Sequence, residues 1–238
     1  MRRFLDYVGA WHLGAVHTRR AAVLARHFSD LIPNGHTVLD VGCGDGLIAS
    51  LILQHRRDLT IEGVDVLARP TAHIPVTGFD GEHLPFADRS WQTVMLCDVL
   101  HHTPIPLEML REVVRVTQQC VVIKDHVLRG VLARQTLRLM DFVGNAPHGV
   151  ALPYNYLSAS EWHAAFAACG LSVRELRDRL DLYPAWADPV FGRSLHFVGA
   201  FDVGMAARQV TEALSPALER TRGKPLLRGA AAGLDEPR

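Results

Sequence analysis

Short apolar runs recur along the first half of the chain and are separated by stretches with apolar residues at helical spacing. The runs lie at 37–41, 59–66, 91–97 and 120–124. They are rich in Val, Ile and Leu, as strands covered on both faces of a parallel sheet are. The segments between them predict helices at 46–56 and 105–117. This alternation of strand and helix predicts an α/β fold.

The flanking segments complete one Rossmann-like, doubly wound sheet. A first helix is predicted over 17–32, and Pro75 marks an edge strand because proline cannot donate to a ladder. The stretches 171–182 and 195–202 alternate like strands and predict a C-terminal antiparallel hairpin on a mostly parallel sheet.

The chain divides into one domain and a tail. The domain covers 1–203, with N-terminal helices in 1–35 and a helical cap of about 127–157 inserted after the fifth strand. Ser158 and Glu161 form a capping box that opens a helix ending near Gly170. Residues 204–238 predict a weak helix and a flexible tail.

Composition and charge narrow the function classes. The chain has 238 residues, of which 48% are hydrophobic, and Lys+Arg and Asp+Glu both number 25. A net charge of zero argues against a nucleic-acid binder that relies on a broad basic surface. Four cysteines lie far apart and predict buried free thiols in a reducing compartment; they are Cys43, Cys97, Cys120 and Cys169.

The N-terminal stretch has the basic opening of a signal peptide, but Asp6, His12 and His17 interrupt any apolar core. No apolar run approaches the roughly 20 residues of a membrane span. The sequence therefore predicts a cytoplasmic protein without stable membrane insertion, and it predicts no particular oligomeric state.

A glycine turn follows the first strand without a spacer. Gly42, Gly44 and Gly46 allow backbone angles and close approaches that a Cβ would forbid. The helix after Gly46 directs its unbonded N–H groups back toward this turn, which favours a ligand with negative charge or strong acceptors. A tight strand-to-helix turn without any ligand is the alternative.

Asp65 ends the second strand, 23 positions after Gly42. A carboxylate at this place in a βαβ unit can accept hydrogen bonds from both hydroxyls of a ribose. The alternative is an ordinary polar strand end.

Four features in order, the glycine turn, Asp65, the segment 79–86 and the segment 99–102, resemble a class I S-adenosylmethionine-dependent methyltransferase. The resemblance covers about 36–126 and is closest to the branch of quinone-biosynthesis and other small-molecule methyltransferases. It implies S-adenosylmethionine as the cofactor.

The resemblance also implies a role for each matching position. Asp40 orders the turn, and the backbone of Gly42, Cys43 and Gly44 faces the methionine part of the cofactor. Asp65 holds the ribose, and Val66 packs beside the adenine. Asp80, next to Gly81, accepts from the adenine amino group, while Cys97 and Asp98 border the sulfonium pocket.

The candidate catalytic residues follow the fifth strand. Ligands of open α/β sheets bind outside the carboxyl ends of the strands, where Asp125 and His126 are expected. His126 is the preferred base, with an ionisation near neutral pH. His101 and His102 are interpreted as pocket wall, and His148 as a further candidate. No ligand pair has an established metal spacing, so no metal site is predicted.

The expected acceptor is a small, partly apolar molecule under the cap. Leu132, Leu139 and Phe142 supply apolar surface, and Tyr154 and Tyr156 add hydrogen bonds. Three arginines near the cap leave membrane-surface binding open. The alternatives are a nicotinamide-dependent Rossmann oxidoreductase and a non-catalytic adenosylmethionine-binding module. The 79–86 segment and the terminal hairpin argue against the oxidoreductase.

Overall fold

The computed structural model describes residues 18–67, 69–145, 152–192 and 194–204. The strands are β1 (Thr37–Val41), β2 (Thr60–Asp65), β3 (Val76–Gly78), β4 (Trp91–Cys97), β5 (Thr117–His126), β6 (Leu171–Arg177) and β7 (His196–Val203). The helices are α1 (described over 18–31), α2 (Leu47–His55), α3 (Pro106–Val116), α4 (Ala133–Asn145), α5 (Ala159–Ala168) and α6 (Asp188–Phe191), with a 3-10 turn at Leu100–His102.

All seven strands form one sheet in the order β3–β2–β1–β4–β5–β7–β6. The first five strands pair in parallel, whereas β7 runs antiparallel to both β5 and β6. The prediction of a mostly parallel sheet with an antiparallel C-terminal pair is confirmed. The edge strand predicted at Pro75 is also confirmed: β3 starts at the next residue, and the Pro75 carbonyl accepts from Gly63 N at 2.9 Å.

Apolar side chains cover both faces of the sheet, as the continuous apolar runs predicted. On β1, Leu39 and Val41 pack into the core beside α3 and α5, whereas Val38 packs into the core beside α1 and α2. The alternation of side chains along a strand requires this split. Helices therefore lie on both faces, which leaves the strand ends as the surface for a ligand.

Two strand boundaries differ from the prediction and matter for the site. β6 ends at Arg177 rather than near 182, because Leu180 and Leu182 leave the ladder and pack into the core beside α1. β5 extends to His126, since Asp125 and His126 pair with the first two residues of β7. Both candidate catalytic residues are thus held inside the sheet rather than beyond its end.

The predicted capping box begins α5. Ser158 Oγ accepts from Glu161 N at 3.4 Å, and Glu161 Oε2 accepts from Ser158 N at 2.7 Å. The reciprocal bonds satisfy two N–H groups that the first turn of a helix leaves unbonded.

The cap contains α4, but its apolar stripe does not face inward. Leu132, Leu139 and Phe142 are 60%, 56% and 58% exposed. Ala133, Leu137 and Asp141 form the buried face of α4 instead, and an acceptor-lining role for the three exposed side chains stays a prediction.

Some predictions lie outside the described residues. They are the N-terminal stretch with His12 and His17, the candidate His148, and the C-terminal helix and tail after residue 204. Among the residues that are described, no helix is long and apolar enough to cross a membrane.

Candidate active site

The glycine turn is fastened to β2 by backbone and side-chain bonds. Gly42 N and Cys43 N both donate to the Val64 carbonyl, at 2.8 and 3.2 Å. Asp65 then accepts from Gly44 N at 2.7 Å and from Leu67 N at 2.8 Å, one bond for each carboxylate oxygen. Asp65 is therefore part of the turn itself, and its carboxylate fixes where the Gly44 backbone lies.

Two glycines of the turn both have positive φ but differ in the space around them. Gly42 has φ +68°, and a Cβ there would come within 2.6 Å of Val99 Cγ2. Gly44 has φ +60°, but a Cβ there would meet no atom within 4 Å. Packing therefore excludes side chains at Gly42, while Gly44 borders open space. The open space at Gly44 leaves its backbone accessible to a ligand with hydrogen-bonding groups.

An apolar strip continues from the turn along the ends of β2 and β3. Val66 is exposed, and a Cβ added to Gly81 would approach Val66 Cγ1 to 3.2 Å. A carboxylate, an open glycine backbone and an exposed apolar side chain thus lie near one another at this edge of the sheet.

Asp80 begins the loop beside this strip. Its Oδ1 accepts from Glu82 N at 2.8 Å and His83 N at 2.6 Å. These backbone bonds lower the pKa of Asp80, so the exposed carboxylate is anionic at neutral pH. Its other oxygen lies 3.6 Å from His83 Nδ1 at the surface.

Burial keeps Asp40 and two thiols near the turn uncharged. Asp40 is buried at the end of β1, and burial together with the nearby Asp65 raises its pKa well above the usual range. Burial also raises the pKa of the Cys43 and Cys97 thiols. All four cysteines are free, as predicted.

Asp98 directly follows β4 at the carboxyl edge of the sheet. It has φ +59° and contacts the fully buried Lys124 on β5 and Arg20 on α1. Burial by itself would raise the Asp98 pKa, but Lys124 and Arg20 outweigh it and hold that pKa well below the usual range. The next residue, Val99, is the one that packs on Gly42, so this ion cluster adjoins the glycine turn.

Asp125 anchors the 3-10 turn to the sheet. Its Oδ1 lies 2.6 Å from His101 Nδ1 and accepts from His126 N at 2.7 Å, while its Oδ2 accepts from Leu100 N at 3.1 Å. Burial alone would lower the His101 pKa, but the Asp125 and Asp141 carboxylates raise it to about 10. His101 is therefore an imidazolium at neutral pH.

His126 lies against His101, with their Nδ1 atoms 3.3 Å apart, and its carbonyl accepts from Trp162 Nε1 at 2.9 Å. Burial, then Lys124 and His101, lower the His126 pKa to about 4. The expected ionisation near neutral pH is thus wrong for His126, because two neighbouring cations disfavour its protonated form.

Three members of this buried cluster escaped the sequence analysis. Arg20 and Lys124 neutralise Asp98, and Asp141 on α4 accepts from the Tyr156 hydroxyl and lies 3.3 Å from His101 Nε2. Lys124 could have been noticed as the lone charge in an apolar strand. Asp141 could have been noticed as the only acidic residue of α4. Nothing in the sequence points to Arg20.

The candidate residues therefore fall into two adjoining groups at the carboxyl edge of the sheet. The turn group comprises Asp40, Gly42, Cys43, Gly44, Asp65, Val66, Asp80 and Gly81. The buried cluster comprises Arg20, Asp98, His101, Lys124, Asp125, His126, Asp141 and Tyr156, with Cys97 beside Asp98.

Comparison with known proteins adds independent findings. A family model for a methyltransferase domain matches residues 15–176. An uncharacterized methyltransferase of Mycobacterium sp. (strain JLS) is 30% identical over 156 residues, which are 60% of this chain and 61% of that protein. Methyltransferase GfsG of Streptomyces halstedii is 26% identical over 200 residues, which are 78% of this chain and 62% of that protein. The chain thus spans about three fifths of the length of these two relatives.

A solved SAM-dependent methyltransferase from Thermotoga maritima has the same fold. It superposes with a TM-score of 0.58 at 19% sequence identity and covers 85% of this chain and 97% of its own.

Proposed function

The chain belongs to the class I S-adenosylmethionine-dependent methyltransferases, and from this premise we propose that it transfers a methyl group from S-adenosylmethionine to a small, partly apolar acceptor. One observation carries the proposal: Asp65 braces the turn at Gly44, and the Gly44 backbone borders open space. The branch of the family stays a prediction.

The turn group supplies the residues that would hold the cofactor. The Gly42, Cys43 and Gly44 backbone faces the methionine portion, and Asp40 supports the turn from below. Asp65 has each oxygen bonded once by the backbone, and the second lone pair of each remains for a ribose hydroxyl.

Val66 and Gly81 provide the apolar strip for adenine, and the Asp80 oxygen that does not bond Glu82 N accepts its amino group. Cys97 and Asp98 border the sulfonium in this proposal, and the charge of Asp98 is already paired with Lys124 and Arg20. When bound, the cofactor supplies a methyl group on a leaving group that its own charge has already activated.

The buried cluster supplies orientation and a proton acceptor. His126 is neutral because its pKa is about 4, whereas His101 is already protonated and has no proton-accepting capacity to offer at neutral pH. Asp125 has both oxygens bonded, so it fixes His101 and His126 rather than exchanging protons with solvent. We assign His126 as a weak proton acceptor, since burial and the nearby cations lower its basicity, and Asp125 as its positioning partner.

The charge of the cluster supports a small acceptor. Three carboxylates, Asp98, Asp125 and Asp141, face three cationic groups, Arg20, His101 and Lys124. Because the charges of the buried cluster balance, the cluster does not attract a polyanion, and the whole chain has zero net charge.

An acceptor screen with labelled S-adenosylmethionine tests the proposal. The parent protein should methylate at least one member of a panel of small hydroxylated and aminated aromatic and aliphatic compounds. His126→Asn should lower kcat on that compound while leaving cofactor affinity nearly unchanged; the exposed His73→Asn is the matched control. Label that goes to protein or RNA alone would overturn the acceptor class.

The two alternatives stand differently after these findings. Membership of the methyltransferase family and the antiparallel β7 both argue against the nicotinamide-dependent oxidoreductase. A non-catalytic module would bind S-adenosylmethionine and transfer no label to any compound of the panel, so the same screen distinguishes it.

A further inference from the structure

The His101 ring has one nitrogen that no described residue bonds. Its Nδ1 is engaged by Asp125 at 2.6 Å, whereas its Nε2 is buried and has no hydrogen-bond partner within the described part of the chain. Asp141 Oδ2 lies 3.3 Å away, without the geometry of a hydrogen bond. Asp141 balances the charge of this ring as an ion pair, but the hydrogen-bonding position of Nε2 stays open to a ligand that contacts both groups.

His102 brings a second imidazole to the same place. Its ring centroid lies 4.0 Å from that of His101, and ligand atoms of His101, His102 and Asp141 all fall within 4.8 Å of one another. Ligands at 2.0–2.2 Å from a tetrahedral zinc ion are about 3.3–3.5 Å apart. The His101 to Asp141 separation already has this value, and His102 offers a third ligand atom within 4.8 Å of both.

The groups behind these three side chains are those that support metal ligands. A metal-bound histidine commonly donates its other nitrogen to a carboxylate, as His101 does to Asp125. Asp125 is held in turn by two backbone N–H groups, and the Tyr156 hydroxyl donates to Asp141. Both the ring and the carboxylate are therefore fixed in orientation before any ion arrives.

A second grouping of potential ligands lies on the other side of His101 and is disfavoured. Asp98, His101, Asp125 and His126 also lie within 4.8 Å of one another. There, however, Lys124 and Arg20 contact Asp98, so an ion would sit beside two fixed positive charges. The His101 to Asp125 bond would also have to break.

We propose that His101 Nε2, His102 and Asp141 bind one divalent ion of the Zn²⁺ or Co²⁺ type, with Asp125 and Tyr156 as orienting groups. Two imidazoles and a carboxylate suit these borderline ions better than Mg²⁺ or Ca²⁺, which prefer oxygen ligands. Three protein ligands leave one coordination position for water or for an oxygen or nitrogen of a bound molecule. Because a metal-bound His101 must lose its Nε2 proton, binding releases protons to solvent.

Cobalt titration of chelator-treated protein tests this site without any activity assay, so its outcome is separate from that of methyl transfer. The parent should bind one equivalent of Co²⁺ with visible ligand-field absorption, and Zn²⁺ should displace it. His102→Ala and Asp141→Asn should abolish that spectrum. Asp125→Asn should weaken binding by about 10–100-fold, the usual cost of removing such a supporting group.

Two control variants make the assignment specific. His126→Asn removes a ligand of the disfavoured grouping and should keep the cobalt spectrum, as should the surface variant His73→Asn. Circular dichroism confirms that each variant is folded. Absence of stoichiometric binding to folded parent protein would overturn the proposal, as would binding that survives both His102→Ala and Asp141→Asn. Loss with His126→Asn but not with Asp141→Asn would place the ion in the other grouping.

Discussion

The turn group and the buried cluster meet at Val99 but are stabilised in opposite ways. In the turn group, backbone N–H groups satisfy the polar side chains, and the glycines leave open space. In the buried cluster, side chains satisfy one another as ion pairs that are largely shielded from solvent, and its charged members come from α1, the segment after β4, the 3-10 turn, β5 and α4. The first arrangement suits a ligand of fixed shape, and the second holds charges in fixed positions beside it.

The largest loss in the free energy of unfolding should occur when a charge is removed from the buried cluster. Asp98→Asn would leave Lys124, which is fully buried, and Arg20 without their carboxylate. We expect a loss of about 3–5 kcal/mol in the free energy of unfolding, measured by urea denaturation.

The double variant Asp98→Asn, Lys124→Met serves as the control for this expectation. It removes the buried charge together with its partner and should recover a large part of the loss. If Asp98→Asn unfolds at the same urea concentration as the parent, the cluster is not held together by paired charges.

Within the turn group, two glycine variants should separate stability from cofactor binding. Both Gly42→Ala and Gly44→Ala place a side chain at positive φ, which costs about 1–2 kcal/mol. Gly42→Ala should cost about 1–3 kcal/mol more, because its Cβ meets the stiff Val99 side chain at 2.6 Å. Gly44→Ala should instead weaken cofactor binding, because its Cβ would project into the open space that we assign to the cofactor.

Thermal unfolding and calorimetric titration with S-adenosylhomocysteine measure the two quantities for this pair. Equal stability losses for both variants would mean that Val99 moves aside freely. Unchanged cofactor affinity in Gly44→Ala would mean that the open space beside Gly44 is not where the cofactor lies.

The smallest expected change in the free energy of unfolding comes from Asp40, and it depends on pH. Its pKa is raised in the folded protein, so above about pH 4 the unfolded chain ionises this carboxyl while the folded chain keeps its proton. The free energy of unfolding should therefore decrease as pH rises from about 4 toward the raised pKa, and Asp40→Asn should remove this contribution.

Urea unfolding of parent and Asp40→Asn at several pH values measures the Asp40 contribution directly. The variant should gain stability relative to the parent as pH rises, and then keep a constant advantage above the raised pKa. A difference that does not change with pH would show that Asp40 ionises normally in the folded protein.

The same contrast explains what the sequence could predict. The glycine turn and Asp65 lie within one βαβ unit, so spacing along the chain placed them correctly. Asp98, Lys124, Arg20 and Asp141 come from four separate parts of the chain, and only the packing of α1 and α4 on the sheet brings them together. The exposure of Leu139 and Phe142 could not be predicted, because an apolar stripe does not reveal which side of a helix the core covers.

The most direct test of the account is calorimetric titration of the purified protein with S-adenosylhomocysteine and, separately, with NAD. We predict one binding site for S-adenosylhomocysteine and none for NAD. Asp65→Ala should lose about 2–4 kcal/mol of binding free energy, since it removes two charge-assisted hydrogen bonds to the ribose as well as the brace on Gly44. Binding of NAD without S-adenosylhomocysteine, or an Asp65→Ala affinity within about threefold of the parent, would contradict it.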